Sequence, residues 1–185
     1  MSEVLRRVIG MMAKRTYATW NPADKGAGFT LSGGNLVATS TVAYAAARAT
    51  VGVASGKWYW EVTLSGLGFW FLGVATTSQS LTTVLGNPNA SGVQSNNYYW
   101  NSLTSAVGGG FTLIAGDVIG FALDANTKTL AVYQNNSLII TITSVQSGTV
   151  YPAISNYSGT ENYTANFGAT PFVYTPPSGY NAGVY

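Results

Sequence analysis

Four carboxylates, Glu61, Asp117, Asp124 and Glu161, are the residues best suited to acid–base chemistry in this chain. Two such groups about 5–9.5 Å apart across a cleft could hydrolyse a glycosidic bond. Their settings argue against it. Asp117 and Asp124 flank one strand-like stretch and would stand about 23 Å apart at about 3.3 Å per residue. Glu61 lies inside Trp58-Tyr-Trp-Glu-Val62, where a carboxylate hydrogen-bonded within a sheet is the simpler reading. Ser55 and Lys57 could pair as nucleophile and base, but Lys57 at a strand start reads as a solvated charge. Asp124, Asn126 and Thr127 offer a few oxygens to calcium, yet a polar hairpin turn accounts for them. The chain has no His and no Cys, which removes imidazole bases, thiol nucleophiles, zinc sites and iron–sulfur clusters. The expectation is a non-enzymatic protein without metal or cofactor.

The scaffold that would carry these residues is unusually neutral. Of 185 residues, 8% are charged, 46% hydrophobic and 13% aromatic, with a formal net charge of +2. Soluble domains average about 25% charged residues. Ser, Thr, Asn and Gly supply the polarity instead. The charge is also unevenly placed: Arg6, Arg7, Lys14 and Arg15 face a single acid, Glu3, in the first fifteen residues. The remainder is slightly acidic.

Residues 1–16 therefore read as a separate segment, helical or extended, ahead of one domain over 17–185. Val4, Leu5, Val8, Ile9 and Met12 recur on one broad helical face, with Arg6 and Arg7 mostly elsewhere. An assembly anchor that docks on another chain is expected. The apolar stretch is too short for a secretory signal, and Ser2 rules out a myristoylation site. No run approaches the ~20 apolar residues of a membrane helix, so no membrane insertion is expected. Four cations would neutralise too few phosphates for nucleic-acid binding.

From Tyr17 onward the pattern is β. Lys57–Leu64 alternates, with Trp58, Trp60, Val62 and Leu64 on one face. Phe69–Ala75 is nearly continuously apolar, the signature of a strand buried on both sides. Asp117–Leu123 and Thr129–Tyr133 answer each other across Asp124–Lys128, and a turn at Asn135-Asn136 leads into Leu138–Val145. Thr149–Ser155 and Tyr163–Phe167 add two more strands. Short strands with frequent turns predict an all-β, antiparallel β-sandwich. Two stretches, 76–97 and 101–110, read as long loops, where function commonly sits.

Five blocks in order resemble the SPRY (B30.2-like) family: Gly56-Lys-Trp-Tyr-Trp-Glu-Val62, Gly116-Asp-Val-Ile-Gly-Phe-Ala-Leu-Asp124, Leu130–Asn136, Tyr151-Pro-Ala-Ile154 and Ala165-Asn-Phe-Gly-Ala-Thr-Pro-Phe172. Gln134 and Asn136 depart from the Lys and Gly of the family hairpin. The resemblance implies a concanavalin A-like sandwich that binds through loops at one edge. The Thr/Ser/Asn/Gly-rich style is similar to SPRY modules in tailed-bacteriophage structural proteins. That likeness implies a virion protein: a tail- or fibre-associated adhesin, or else a capsid decoration protein. A cellular adaptor binding a peptide motif is the alternative of another class.

Candidate ligand contacts are Asn97, Tyr98, Tyr99 and Trp100 between the two long loops, with Asn156, Tyr157 and Tyr163 near the last strands. Aromatic faces beside amides suit recognition, of sugars in particular. If Tyr98 and Trp100 face inward, alternation sends Tyr99 outward. Expected partners are other virion proteins through residues 1–16, further copies in a symmetric homo-oligomer, and a host surface glycan or protein.

Overall fold

The computed structural model describes residues 15–66, 68–104, 107–158 and 160–185. The predicted anchor residues Val4, Leu5, Arg6, Arg7, Val8, Ile9 and Met12 lie outside them. The strands begin with β1 (Trp20–Lys25), β2 (Phe29–Ser32), β3 (Val37–Ser40), β4 (Ala45–Ala49) and β5 (Lys57–Leu64). β6 (Phe69–Ala75), β7 (Ala90–Gln94), β8 (Tyr98–Trp100) and β9 (Val107–Gly108) follow. Then come β10 (Val118–Asp124), β11 (Thr129–Gln134), β12 (Ser137–Ile142), β13 (Tyr151–Ser158), β14 (Glu161–Asn166) and β15 (Asn181–Ala182).

They form two sheets. One runs β1-β4-β13-β6-β7-β8-β9; the other runs β12-β11-β10-β5-β14-β3-β2, with β15 beside the start of β5. All pairings between these strands are antiparallel except β15 with β5. The expected all-β sandwich is what the chain forms.

Alternation fills the space between the sheets. Trp60, Val62, Leu64, Ile119 and Phe121 from one meet Trp70, Leu72, Val74, Val93 and Ile154 from the other. Trp60 stacks on Phe121 with ring centroids 5.2 Å apart. Tyr59 and Glu61, on the opposite face of β5, are nevertheless buried. The C-terminal segment lies over them. Its Val173 and Tyr174 N–H groups donate to the Glu61 carboxylate, each at 2.9 Å, and Phe172 packs edge-on to Tyr59 at 5.0 Å. Burial, with the Glu61 charge second, pushes the Tyr59 phenol far up.

The two expected long loops are partly strand. β7 lies inside the first and β9 inside the second. β7 is Ala-Ser-Gly-Val-Gln, with little β-branched or aromatic signal, because Gly92 faces Gly73 of β6 at a backbone approach too close for a Cβ on either. The Asn135-Asn136 turn is as expected: both residues have positive φ, 48° and 70°.

Candidate functional site

The outer face of the seven-stranded sheet carries a second apolar cluster. Period-2 alternation along β6 sends Trp70, Leu72 and Val74 to the main core and leaves Phe69 and Phe71 on the other side. From there a chain of edge-to-face rings crosses the sheet. Tyr44 meets Tyr157 at 5.0 Å, Tyr157 meets Phe69 at 5.2 Å, Phe69 meets Phe71 at 5.7 Å, and Phe71 meets Trp100 at 5.2 Å. Such contacts add to plain area burial.

The two ends of this chain differ. At the Trp100 end the 76–89 segment forms a roof, with Leu85 buried against Phe71 and Trp100 and its N–H on Ser155 Oγ at 2.8 Å. Arg48 of β4 holds the roof down, donating to the Thr76 and Gln79 carbonyls at 3.1 and 2.7 Å and gripping Asp24 with two bonds of 2.7 Å. At the other end the rings are open to solvent: Tyr44 is 51% exposed and Tyr157 41%, beside Val42 at 47%.

Tyr44 is also strained. Its φ of 58° is a left-handed conformation that a bulky aromatic rarely adopts. Hydrogen bonding with Tyr157, and then its charge, raise the Tyr44 phenol above its ordinary value.

Beside this end lies a cleft of about 340 Å³ bordered by Gly66, Gly68, Phe69, Ser95, Ile114 and Ser158. Phe69 belongs to both cleft and ring chain. A wider, open groove of about 660 Å³ lies at the far ends of β6 and β13, where Thr76, Ser78, Asn89, Ser102, Gln146 and Tyr151 present hydroxyl and amide groups.

Of the predicted contacts, Tyr157 is in the exposed ring end and Tyr98 is 39% exposed on β8, the strand next to the edge strand β9. Asn97 is a turn residue with φ 73°, its Oδ1 accepting the Phe111 N–H at 2.6 Å. Tyr99 turns inward against the main core, so the inward–outward assignment around it is reversed.

Three predicted contacts are corrected by burial. Trp100 is roofed, Asn156 holds Ser40 Oγ and Val42 O from below, and Tyr163 fills the space between the sheets with its hydroxyl on Ser155 O. None of the three presents a surface to a ligand. Tyr44, Val42 and Phe69 were missed. Nothing in Ser-Thr-Val-Ala-Tyr-Ala-Ala-Ala marks Tyr44, because the pairing that exposes it comes from β13, more than a hundred residues away.

The carboxylates take structural roles. Asp117 accepts from the Ile114 N–H, Gln134 and Asn135, and Asp124 accepts from the Asn126 and Thr127 N–H groups in its turn. Lys57 pairs with Asp124 at 3.4 Å rather than activating Ser55. Among the described residues no group of three His, Cys, Asp or Glu side chains could hold a metal ion.

Comparison with known proteins gives the architecture a place. The model of the SPRY domain matches residues 57–170. The chain belongs to the SPRY domain family. The E3 ubiquitin-protein ligase RKP of Arabidopsis thaliana is 34% identical over 146 residues, which is 75% of this chain and 11% of the ligase. The chain thus spans about a ninth of that relative. The crystal structure of the SPRY domain of human HERC1 superposes with a TM-score of 0.64 at 16% identity, covering 79% of this chain and 96% of that one. The TRIM65 PSpry domain does so at 0.66 and 18%, covering 88% and 98%. These two show the fold.

Proposed function

We propose that this SPRY domain is a non-catalytic recognition module whose exposed Tyr44–Tyr157–Phe69 end grips a segment of a partner protein. The observation that carries this reading is the pair of half-exposed tyrosines at the open end of a ring chain, one of them held at a strained φ of 58°. Strain of this kind persists where surrounding structure over-determines it, and it clusters at binding sites. SPRY domains are typically protein-interaction modules, which favours a polypeptide partner. Binders selected from a displayed random-peptide library test the reading. Tyr44→Ala and Tyr157→Ala should each weaken them about tenfold or more, as central aromatic anchors do, at unchanged melting temperature. Binders indifferent to both changes would sink it.

The virion location expected from sequence style finds no counterpart in the relatives named above, and it stands on that style alone. What supports a mounting role for the N-terminal segment is where it leaves the domain. Arg15 stacks on the Tyr185 ring at 4.2 Å, and Tyr185 packs on Trp58 at the start of β5. The open ring end lies beyond Leu64, about 20 Å along the same strand. The open hydroxyl-lined groove is the surface that best suits the expected glycan. Self-association is supported by β12, an edge strand of Ser, Leu, Ile and Thr without charge or proline.

A further inference from the structure

We infer that the cleft beside Phe69 receives a cationic side chain, an arginine or lysine of the recognised segment, with Glu161 as its counter-charge. This rests on the recognition reading above and names the chemistry it selects. The argument begins with the five acids among the described residues. Asp24 has Arg48, Asp124 has Lys57, and Asp117 and Glu61 each take three donors. Glu161 is different. It is fully buried, the Gly68 N–H donates to its Oε1, and its Oε2 has no partner among the described residues.

A buried carboxylate with an unmatched oxygen is costly, and such atoms call for an explanation. Burial accordingly pushes the Glu161 carboxyl above its ordinary value. The position of the carboxylate supplies the explanation. Gly66 and Gly68 border the cleft, and a Cβ on either would collide with the carboxylate behind them. Gly66 and Gly68 thus touch the cleft on one side and the carboxylate on the other.

The walls suit a cation on an apolar stem. Phe69 brings an aromatic side chain, Leu113 and Ile114 offer aliphatic contact, and Ser95 and Ser158 are the hydroxyl residues of the lining. Among the described residues no Lys or Arg lines the cleft. At about 340 Å³ it is near the small end for ligand sites and fits one side chain.

The test titrates the isotope-labelled full chain with N-acetyl-arginine amide and, separately, with its neutral isostere N-acetyl-citrulline amide, following backbone amides by NMR. The arginine probe should shift Gly66, Gly68 and Ser95 in a saturable way. The citrulline probe should bind at least tenfold more weakly, a comparison that needs no variant. Glu161→Gln should bring the arginine probe down to the citrulline level. Equal shifts from both probes, or none at these amides, would overturn the cationic cleft. If selected peptides still depend on Tyr44 and Tyr157, the recognition reading survives that result. If they do not, the recognition reading fails independently.

Discussion

Glu161 shows how one side chain can trade stability for a charged feature. Its folded pKa is raised, so the folded chain holds this proton more tightly than the unfolded chain does. Its contribution is therefore fully present below the ordinary carboxylate range. It is lost as pH rises through that range to the raised folded value. Glu161→Gln removes the titration and can still accept the Gly68 N–H. The variant should melt higher than the parent at neutral pH, by about 2–4 °C per kcal/mol in a chain of this size, and the gain should vanish in acid. Thermal melts across the carboxylate range check it; a neutral-pH loss would contradict the account. Glu61 makes the complementary point about legibility. Its mid-strand position pointed to a hydrogen-bonded carboxylate, and that is its role. Of its three donors the Tyr59 hydroxyl is local, but the Val173 and Tyr174 N–H groups lie over a hundred residues away in an irregular segment, where no local pattern could reveal them.

Among the elements, legibility followed side-chain size. β5, β6, β10 and β11 carry large residues in period 2 or as continuous apolar runs, and the sequence marks them almost to the residue. β4 is Ala-Ala-Ala-Arg-Ala and β7 is built around Gly92; both are buried throughout and neither alternates. Small residues are what lets the roof segment sit close on this sheet, and the same smallness erases the pattern. Arg48 is the one long side chain of β4, and it fastens that roof. Arg48→Met should cost about 3–5 kcal/mol, because it strands Asp24 and frees two carbonyls. Denaturant unfolding measures the loss, and limited proteolysis should find new cleavage within residues 76–89. A stability change below about 1 kcal/mol would remove Arg48 from this role.

For the molecule as a whole, the neutral surface expected from composition places few charges between like copies. β12 is where that matters. It closes one sheet with Leu138 and Thr141 exposed, and no charged residue lies between Thr129 and Val150. Edge strands commonly carry charge or proline against such pairing. Sedimentation equilibrium should show concentration-dependent dimers for the parent chain. Thr141→Lys, on an exposed position, should return it to monomer at unchanged fold; a parent monomeric at high micromolar concentration would refute edge pairing. The fold class was legible from the large-residue strands, whereas the open ring end was not, since it is assembled from the flanks of β4, β6 and β13.

Residues 17–18 and 184–185 lie side by side on the domain. The Ala18 N–H bonds the Val184 carbonyl at 2.8 Å, and the Tyr17 and Tyr185 rings sit 5.5 Å apart. A fold in which residues 17 and 185 sit side by side behaves as a cassette: the span between them can be spliced into a surface loop of a host protein without prising either partner apart. By the same geometry, a short linker could join residues 17 and 185 and new ends be opened in an exposed turn, such as Asn135-Asn136. The order in which the strands are written would then change while the sheets, the ring chain and the cleft stayed as they are.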